Sequence, residues 1–384
     1  MHTLATIFFT LLALFWISMA IAASRGMARL PRLASVRPFL DSPLPRVSIL
    51  FAARDEAEKL SATLSSMLAL DYGNFEIIAA DDRSTDATPQ ILDEFARRDT
   101  RLKVIHVSQL PSGWLGKPHA LETAYHASTG EWLVFTDADV RFAPELLHRT
   151  LALVQQENLD HLTLLCALDL RGFWEPIAVG YLGLMFAVGS RPWATNDPRS
   201  KTYMGVGAFQ LLRRSAYEAI GTHRRLAMEV LDDMKLGKLV KQHGFRSGVA
   251  PSDSLLQIRW QEGFGNVIKG MTKNMFSGFG FRAWAVMIGV LGIVCISISQ
   301  FVGIFAAAGM ARLAAAVAAA AAVIFEAGLM PFSRASRWYG LTHPLGALIV
   351  IYIILRSMFV TLARGGVEWR GTFYPIEELK RGMV

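Results

Sequence analysis

Hydrophobic and polar positions divide the chain into two regimes. From Leu4 to Ala23, and again over roughly Trp284–Ala307, Leu313–Met330 and Pro344–Leu362, apolar residues run on for about the length that crosses a bilayer. Between them, from Val47 to Trp260, apolar runs are short and alternate with amphipathic stretches. Val47–Ala53, Phe75–Ala80, Leu102–Val107 and a run opened by Trp132 read as strands. Helices are predicted from about Glu56 to Leu70, after Asp86 with Pro89 in the first turn, and from about Pro118 to Ser128. Strands alternating with helices predict a parallel, doubly wound α/β sheet. Further on, Leu162–Leu168 and Tyr203–Leu211 read as strands, the second with glycines where a ligand can approach the backbone. A helix opens at Asp232-Asp233 and stops at His243-Gly244. Phe173–Val188 is apolar but interrupted by Glu175, Pro176 and glycines, which suits a buried or interfacial segment better than a span.

Composition agrees with membrane segments joined to a soluble domain. Of 384 residues, 52% are hydrophobic and 18% charged, and mean hydropathy is +0.33. A cleaved signal peptide is the rival reading of the first run. That run is longer than a signal core, and no Lys or Arg precedes it. Arg25, Arg29, Arg32, Arg37 and Arg46 follow it, which places the next domain in the cytoplasm. The expected organisation is an N-terminal span (1–24), a basic proline-rich linker (25–46), a catalytic domain (47–260), an interfacial segment (261–282), about three further spans (283–363) and a tail (364–384). The alanine-rich third run suits a soluble helix by propensity, but it stands between two stronger spans. Glu326 and Arg356 are candidate buried or snorkelling charges. One N-terminal and three C-terminal spans put the tail outside, yet it carries Arg364, Arg370, Lys380 and Arg381. Either one run does not span or the charge rule fails.

The net charge of +7 suits anionic lipid or a phosphorylated ligand. No zinc-finger spacing or basic-aromatic repeat supports nucleic acid. Cys166 and Cys295 lie in apolar stretches and form no metal pattern or disulfide framework. The strand from Trp132 ends in Asp137 and Asp139. In an extended backbone both side chains point the same way, at the carboxyl end of a strand where α/β folds gather ligands. Such a pair suits Mg²⁺ or Mn²⁺ carrying a phosphate-bearing ligand. The alternative is turn and helix capping before Pro144-Glu145. Gly116-Lys117 is not a P-loop, no GxGxxG follows the first strand, and there is no GxSxG or HExxH.

Four carboxylate sites fall at element ends: Asp55-Glu56, Asp81-Asp82, Asp137/Asp139 and Asp232-Asp233. With Ala53-Arg54-Asp55-Glu56, Asp82-Arg83-Ser84-Thr85-Asp86, Gly116-Lys117, Thr136-Asp137-Ala138-Asp139 and Leu231-Asp232-Asp233, the chain resembles membrane-bound family 2 glycosyltransferases of GT-A fold. The members it most resembles are lipid-modifying ones, such as hopanoid-associated, carotenoid-acid and ceramide glycosyltransferases. The resemblance implies that Asp82 accepts a hydrogen bond from the nucleobase, and that Arg54, Asp55 and Lys117 line the nucleotide side. It implies that Asp137 and Asp139 face the diphosphate and a metal, Asp139 more directly, and that Asp233 is the general base. The family usually shows Glu-Asp at Asp232-Asp233. Gln257-Ile258-Arg259-Trp260 resembles the end of a QxxRW motif, with Leu256 where the first glutamine belongs. Together with Asp232, Gln257, Arg259 and Trp260 are expected on the acceptor side. His119 and His223 receive no role.

The implied activity is transfer from a nucleotide-sugar, a UDP-sugar for preference, to a lipid or lipid-linked acceptor with inversion. The expected location is the inner or plasma membrane. A processive polysaccharide synthase is the enzymatic alternative, and a membrane scaffold with an inactive GT-A domain the non-enzymatic one.

Overall fold

The computed structural model describes residues 2–38 and 43–384. Met1 and residues 39–42 of the expected linker lie outside the described residues. The chain forms two compact units. A sheet unit comprises Leu30–Ala167, Ala194–Arg259 and Arg370–Val384, and a helical unit Met1–Arg29, Leu168–Trp193 and Trp260–Trp369.

After α1 (His2–Ala28) of the helical unit, the sheet unit runs β1 (Val47–Ala53), α2 (Ala57–Leu68), β2 (Phe75–Asp82), α3 (Thr88–Arg98), β3 (Leu102–Val107) and α4 (Gly116–His126). It continues with β4 (Trp132–Asp137), β5 (Val140–Phe142), α5 (Leu146–Gln156) and β6 (His161–Leu165). β7 (Ala167–Leu168) leads out to α6 (Trp174–Ser190). On return come β8 (Gln210–Arg213), α7 (Arg214–Ala219), α8 (Asp232–Gln242), β9 (Ser247–Pro251) and β10 (Leu256–Ile258).

The strands form a seven-stranded sheet in the order β3-β2-β1-β4-β8-β6-β9. It is mixed rather than all parallel, because β8 runs antiparallel to both β4 and β6. Residues 203–209, expected as strand, are irregular, and regular pairing begins at Gln210. β1 and β4 are apolar along their length because helices cover both faces, as parallel sheets require. Ile49, Leu50, Leu133 and Val134 are fully buried. One core cluster joins Leu50, Ile78 and Leu133 of the sheet to Ala120 and Leu121 of α4 and to Leu236, Leu239 and Val240 of α8. Apolar packing thus sets α4 and α8 together on the sheet. The register Ala53↔Asp81 and Ala52↔Asp137 aligns the carboxyl ends of β1, β2 and β4.

In the helical unit, α9 (Phe264–Gly278), α10 (Ala283–Ile293), α11 (Ser299–Ala306), α12 (Gly309–Leu329) and α13 (His343–Arg364) follow. Among the described residues, four helical segments are long and apolar enough to cross a membrane: His2–Ser35, Ala283–Ala306, Gly309–Ser333 and Arg337–Arg364. The second contains a π-helical turn at Val294–Ile298, where the Trp16 indole donates to the Ile296 carbonyl at 2.9 Å. Glu326 is fully buried and paired with buried His343 at 2.6 Å. α6 is a continuous helix that tolerates Pro176 in its first turn. Buried Glu175 there accepts the backbone N–H groups of Arg171 and Gly263 at 2.8 and 2.7 Å. The chain then adds β11 (Gly366–Trp369), and in the sheet unit β12 (Thr372–Pro375) and α14 (Ile376–Arg381).

At the sheet edge remote from the carboxyl ends, Glu76 ties three strands together. It accepts from Ser48 Oγ and Thr129 Oγ1 at 2.8 Å, Thr129 N at 2.6 Å and Lys103 Nζ at 2.8 Å. Burial disfavours its charge, but these bonds outweigh burial and hold its pKa at about 2, below the ordinary 4.5. A depressed folded pKa stabilises the fold above the unfolded value, and that contribution disappears as pH falls from about 4.5 to about 2. At 1.36 kcal/mol per unit it is roughly 3 kcal/mol. Glu76→Gln is expected to lower the thermal midpoint in detergent micelles at pH 7, with the gap to wild type closing toward pH 2. A gap independent of pH would contradict it.

Candidate active site

Lys117 lies in the first turn of α4, facing the end of β4. Its Nζ is 2.7 Å from Asp137 Oδ1 and 3.9 Å from Asp232 Oδ2. Burial opposes its charge, but Asp137, Asp232 and Asp233 together raise its pKa above the ordinary lysine value. Asp232 and Asp233 open α8, where the helix N-terminus favours carboxylates. Asp233 Oδ1 accepts the Met234 N–H at 2.7 Å and Oδ2 the Gly207 N–H at 3.0 Å. Burial raises the Asp233 pKa, against the lowering effect of Lys117.

The irregular run before β8 passes through this cluster because glycines let it. A Cβ on Gly205 would collide with the Asp233 carbonyl. One on Gly207 would stand 2.9 Å from Asp137 Oδ2, 3.2 Å from Asp233 Oδ2 and 3.3 Å from Lys117 Nζ.

Asp139 sits in a turn, so the backbone is not extended from Asp137 to Asp139 as the alternation argument assumed. The two carboxylates nevertheless interact. Burial first, then the charges of Asp137 and Glu56, push Asp139 up to about 6, with Lys59 opposing from 3.6 Å. Glu56 is likewise raised by burial, against the pull of Arg370 and Lys59. Hard oxygen donors held under mutual repulsion fit a divalent cation in charge and type. Among the described residues no three metal-ligating side chains come together. Asp137 and Asp139 therefore suit an ion of the Mg²⁺ or Mn²⁺ kind that takes its remaining ligands from phosphate and water.

At the end of β2, buried Asp82 is gripped by Arg83, whose Nε and Nη2 donate to its two oxygens at 2.8 and 3.2 Å. Arg54 Nη1 lies 3.6 Å from Asp82 Oδ2. Arg83 and Asp55 both adopt left-handed φ, 59° and 53°. Asp55 stays so because its carboxylate accepts from Thr85 N and Oγ1 at 2.7 and 3.2 Å, and its own N–H donates to Ser84 Oγ at 3.1 Å.

Arg54, Asp82, Lys117, Asp137, Asp139, Asp232 and Asp233 thus occupy the carboxyl edge of one sheet. Lys117 is paired with Asp137 and faces Asp232, and the Asp55 carboxylate is engaged with the adjoining loop. Gln257 is exposed on β10, paired in register with Arg141 of β5. The Arg259 carbonyl lies 3.4 Å from Lys59 Nζ. Trp260 falls in the helical unit, packed with Val179, Val267 and Phe264. Sequence reasoning placed Glu56 and Arg83 in its motifs without giving them a role, and it missed Lys59, Arg370 and Tyr374 as neighbours of the site. The glycines of the 203–211 run were the available signal for Gly207, whereas no local signal pointed to residues more than 100 positions away.

Residues 48–221 match the family described as "Glycosyl transferase family 2". A 4,4'-diaponeurosporenoate glycosyltransferase of Staphylococcus aureus (strain USA300) is 24% identical over 347 residues, 86% of this chain and 89% of that protein. A beta-monoglucosyldiacylglycerol synthase of Nostoc sp. is 36% identical over 121 residues, 31% of this chain and 25% of that protein. The mannosyltransferase PcManGT from Pyrobaculum calidifontis, solved in complex with GDP-Man and Mn²⁺, superposes with a TM-score of 0.55 at 18% identity. The alignment covers 93% of this chain and 98% of that one, and at that identity the likeness is one of fold. The mixed sheet is the GT-A fold.

The crowding at Gly207 yields a test. Gly207→Ala is expected to cut turnover by about 10²-fold, the effect of ångström-scale misplacement at a reacting centre. The thermal midpoint should change little, since φ there is not left-handed. Near wild-type turnover would show that this backbone does not adjoin the chemistry.

Proposed function

The chain carries a family 2 glycosyltransferase domain, and on that premise we propose that it moves a sugar from a UDP-sugar to the hydroxyl of a lipid or lipid-linked acceptor, inverting the anomeric centre. The observation that carries this reading is the cluster of Asp137, Asp232 and Asp233 around Lys117, one edge of sheet away from the Arg-clamped Asp82. Arg54, Asp82 and Arg83 present donor, acceptor and donor, the complement of the carbonyl, N–H and carbonyl edge of uracil. Asp233 is positioned by two backbone N–H groups and keeps a raised pKa, which makes it a stronger base than an exposed aspartate. It takes the proton as the acceptor oxygen attacks the anomeric carbon, and the nucleoside diphosphate leaves from the opposite face. Lys117 holds Asp137 and Asp233 in place and offers positive charge close to the departing phosphates. Asp137 and Asp139 would hold a divalent ion, which supplies charge neutralisation for the leaving diphosphate. The lipid acceptor is supported by the relatives named for a carotenoid acid and a diacylglycerol, and by the apolar helices on both sides of the domain.

Membrane orientation follows from continuity of the chain. It leaves the sheet unit after Arg259 and re-enters it at Arg370, so the stretch between crosses the bilayer an even number of times. Three candidate helices lie in that stretch, and we assign Arg337–Arg364 as the one that does not cross. Half of its apolar window is buried inside the protein, against 22% and 39% for the other two. The start of α1 and the Ala307-Ala308 connection then lie outside. The sheet unit and the arginines at 334, 337, 364, 370 and 381 lie in the cytoplasm, which satisfies the positive-inside rule. This removes the conflict raised by a basic tail after three spans.

Two experiments check these readings. Lipid extracts from cells making the wild-type protein should contain a glycosylated lipid, by mass spectrometry, that Asp233→Asn cells lack. In detergent, Asp233→Asn should bind UDP almost normally while turnover falls by roughly 10²–10⁴-fold. Lost UDP affinity with normal turnover of bound substrate would make Asp233 a binding residue instead. For orientation, a thiol from Lys380→Cys should resist a membrane-impermeant maleimide in intact cells, and one from Ala308→Cys should react. Labelling of Lys380→Cys from outside would overturn the assignment.

A further inference from the structure

Residues Arg370–Val384 belong to the sheet unit although the helical segments Trp260–Trp369 precede them, and they lie outside the matched span 48–221. The segment is fastened at its far end. Leu379 is fully buried, and the Val384 N–H donates to Glu229 at 3.1 Å. The Val384 carbonyl accepts from Lys235 and Lys238 of α8.

At its near end it reaches the functional edge. Arg370 and Gly371 both take left-handed φ, 50° and 73°, so the chain turns sharply there. The Arg370 guanidinium pairs with Glu56, and Gly371 lies close to Arg54. The Tyr374 ring is buried, and its hydroxyl oxygen accepts the Gly116 N–H at 3.2 Å. Gly116 opens the helix that bears Lys117, and it lies against Asp82. A Cβ there would stand 3.2 Å from Asp82 Cγ and 3.1 Å from Arg83 Nη2. The phenol oxygen therefore braces the start of α4, against which Asp82 and its Arg83 clamp are packed.

We propose that Tyr374 is a positioning residue for the sugar donor: its hydroxyl, through the Gly116 N–H, fixes the start of α4 against Asp82 and so keeps Asp82 in the orientation that reads the nucleobase. This rests on the UDP-sugar reading above. The C-terminal segment is on this view a wall of the nucleotide subsite, supplied from beyond the matched domain. Tyr374 touches no reacting atom, so its loss acts on binding and base choice rather than on the chemical step.

The test uses the full chain in detergent micelles, with UDP and GDP as calorimetric titrants. Tyr374→Phe keeps the ring and leaves the buried Gly116 N–H without its acceptor, a loss of about 10-fold in affinity. The expected result is a UDP Kd raised about 10-fold and a UDP-to-GDP preference reduced toward one. KM for the sugar donor should rise in step, kcat should stay within about 3-fold, and the ligand-free thermal midpoint should hardly move. Phe373→Ala, on an exposed neighbour, should leave all of these unchanged. If wild type binds UDP and Tyr374→Phe matches it in Kd and base preference, the inference is overturned and the function stands. If wild type binds neither nucleotide, the UDP-sugar reading fails and takes the inference with it. A fall in thermal midpoint with an unchanged base preference would make the hydroxyl structural and also overturn the proposal.

Discussion

Three aspartates share one lysine, and the arrangement of the sheet unit depends on that sharing. Asp137 ends β4, while Asp232 and Asp233 begin α8. Like charges brought together in a partly buried site repel by several kcal/mol unless a cation stands among them. Lys117 does so from the first turn of α4. The four side chains meet only because the apolar faces of α4 and α8 join one core with Leu50, Ile78 and Leu133. Hydrophobic packing sets the helix positions to within an ångström or so, and the charges then select the rotamers.

The same constraint explains where the backbone departs from regular structure. A side chain at Gly205 would meet the Asp233 carbonyl at the start of α8, one at Gly207 would crowd the charged side chains, and Gly237 lets α8 lie against the Met204 carbonyl. Regular strand pairing cannot begin until Gln210, once the chain has cleared the cluster. Asp55 and Arg83 accept a left-handed backbone for a related reason. Each turns its side chain into a hydrogen-bonded corner that an ordinary loop would not provide, and strain of this kind concentrates where function demands geometry.

The helical unit answers a different physical demand. Four of its helical segments carry apolar surface suited to lipid, and buried polar side chains pair within it, Glu326 with His343 and Tyr181 with Ser297. Polar pairs of that kind specify which helix packs where, in a setting where apolar contacts alone discriminate little. α9 bears Lys269 and Lys273 among Phe264, Met271, Met275 and Phe276. That mixture suits a helix at the headgroup level.

Local pattern was sufficient for the strands and helices from Val47 to Asp137, because buried parallel strands must be apolar throughout and their helices amphipathic. It was sufficient as well for the four apolar helices, since each is a long unbroken apolar run, though which of them cross is not written in that length. Asp82, Lys117, Asp137, Asp139 and Asp233 were legible as candidates because carboxylates at strand ends and helix starts are where this topology gathers them. The direction of β8 was not legible, since antiparallel and parallel strands share one alternation. Nor was the turn at Asp139, nor the pairing of Lys117 with Asp137 and Asp232. Residues 203–209 look like strand by composition, and only the need to pass Asp137 and Asp233 at close range makes them irregular. Arg370 and Tyr374 lie some 250 to 320 residues along the chain from Gly116 and Glu56. No local preference encodes a contact at that separation, so the partnership of the tail with the nucleotide edge was decided by tertiary packing alone.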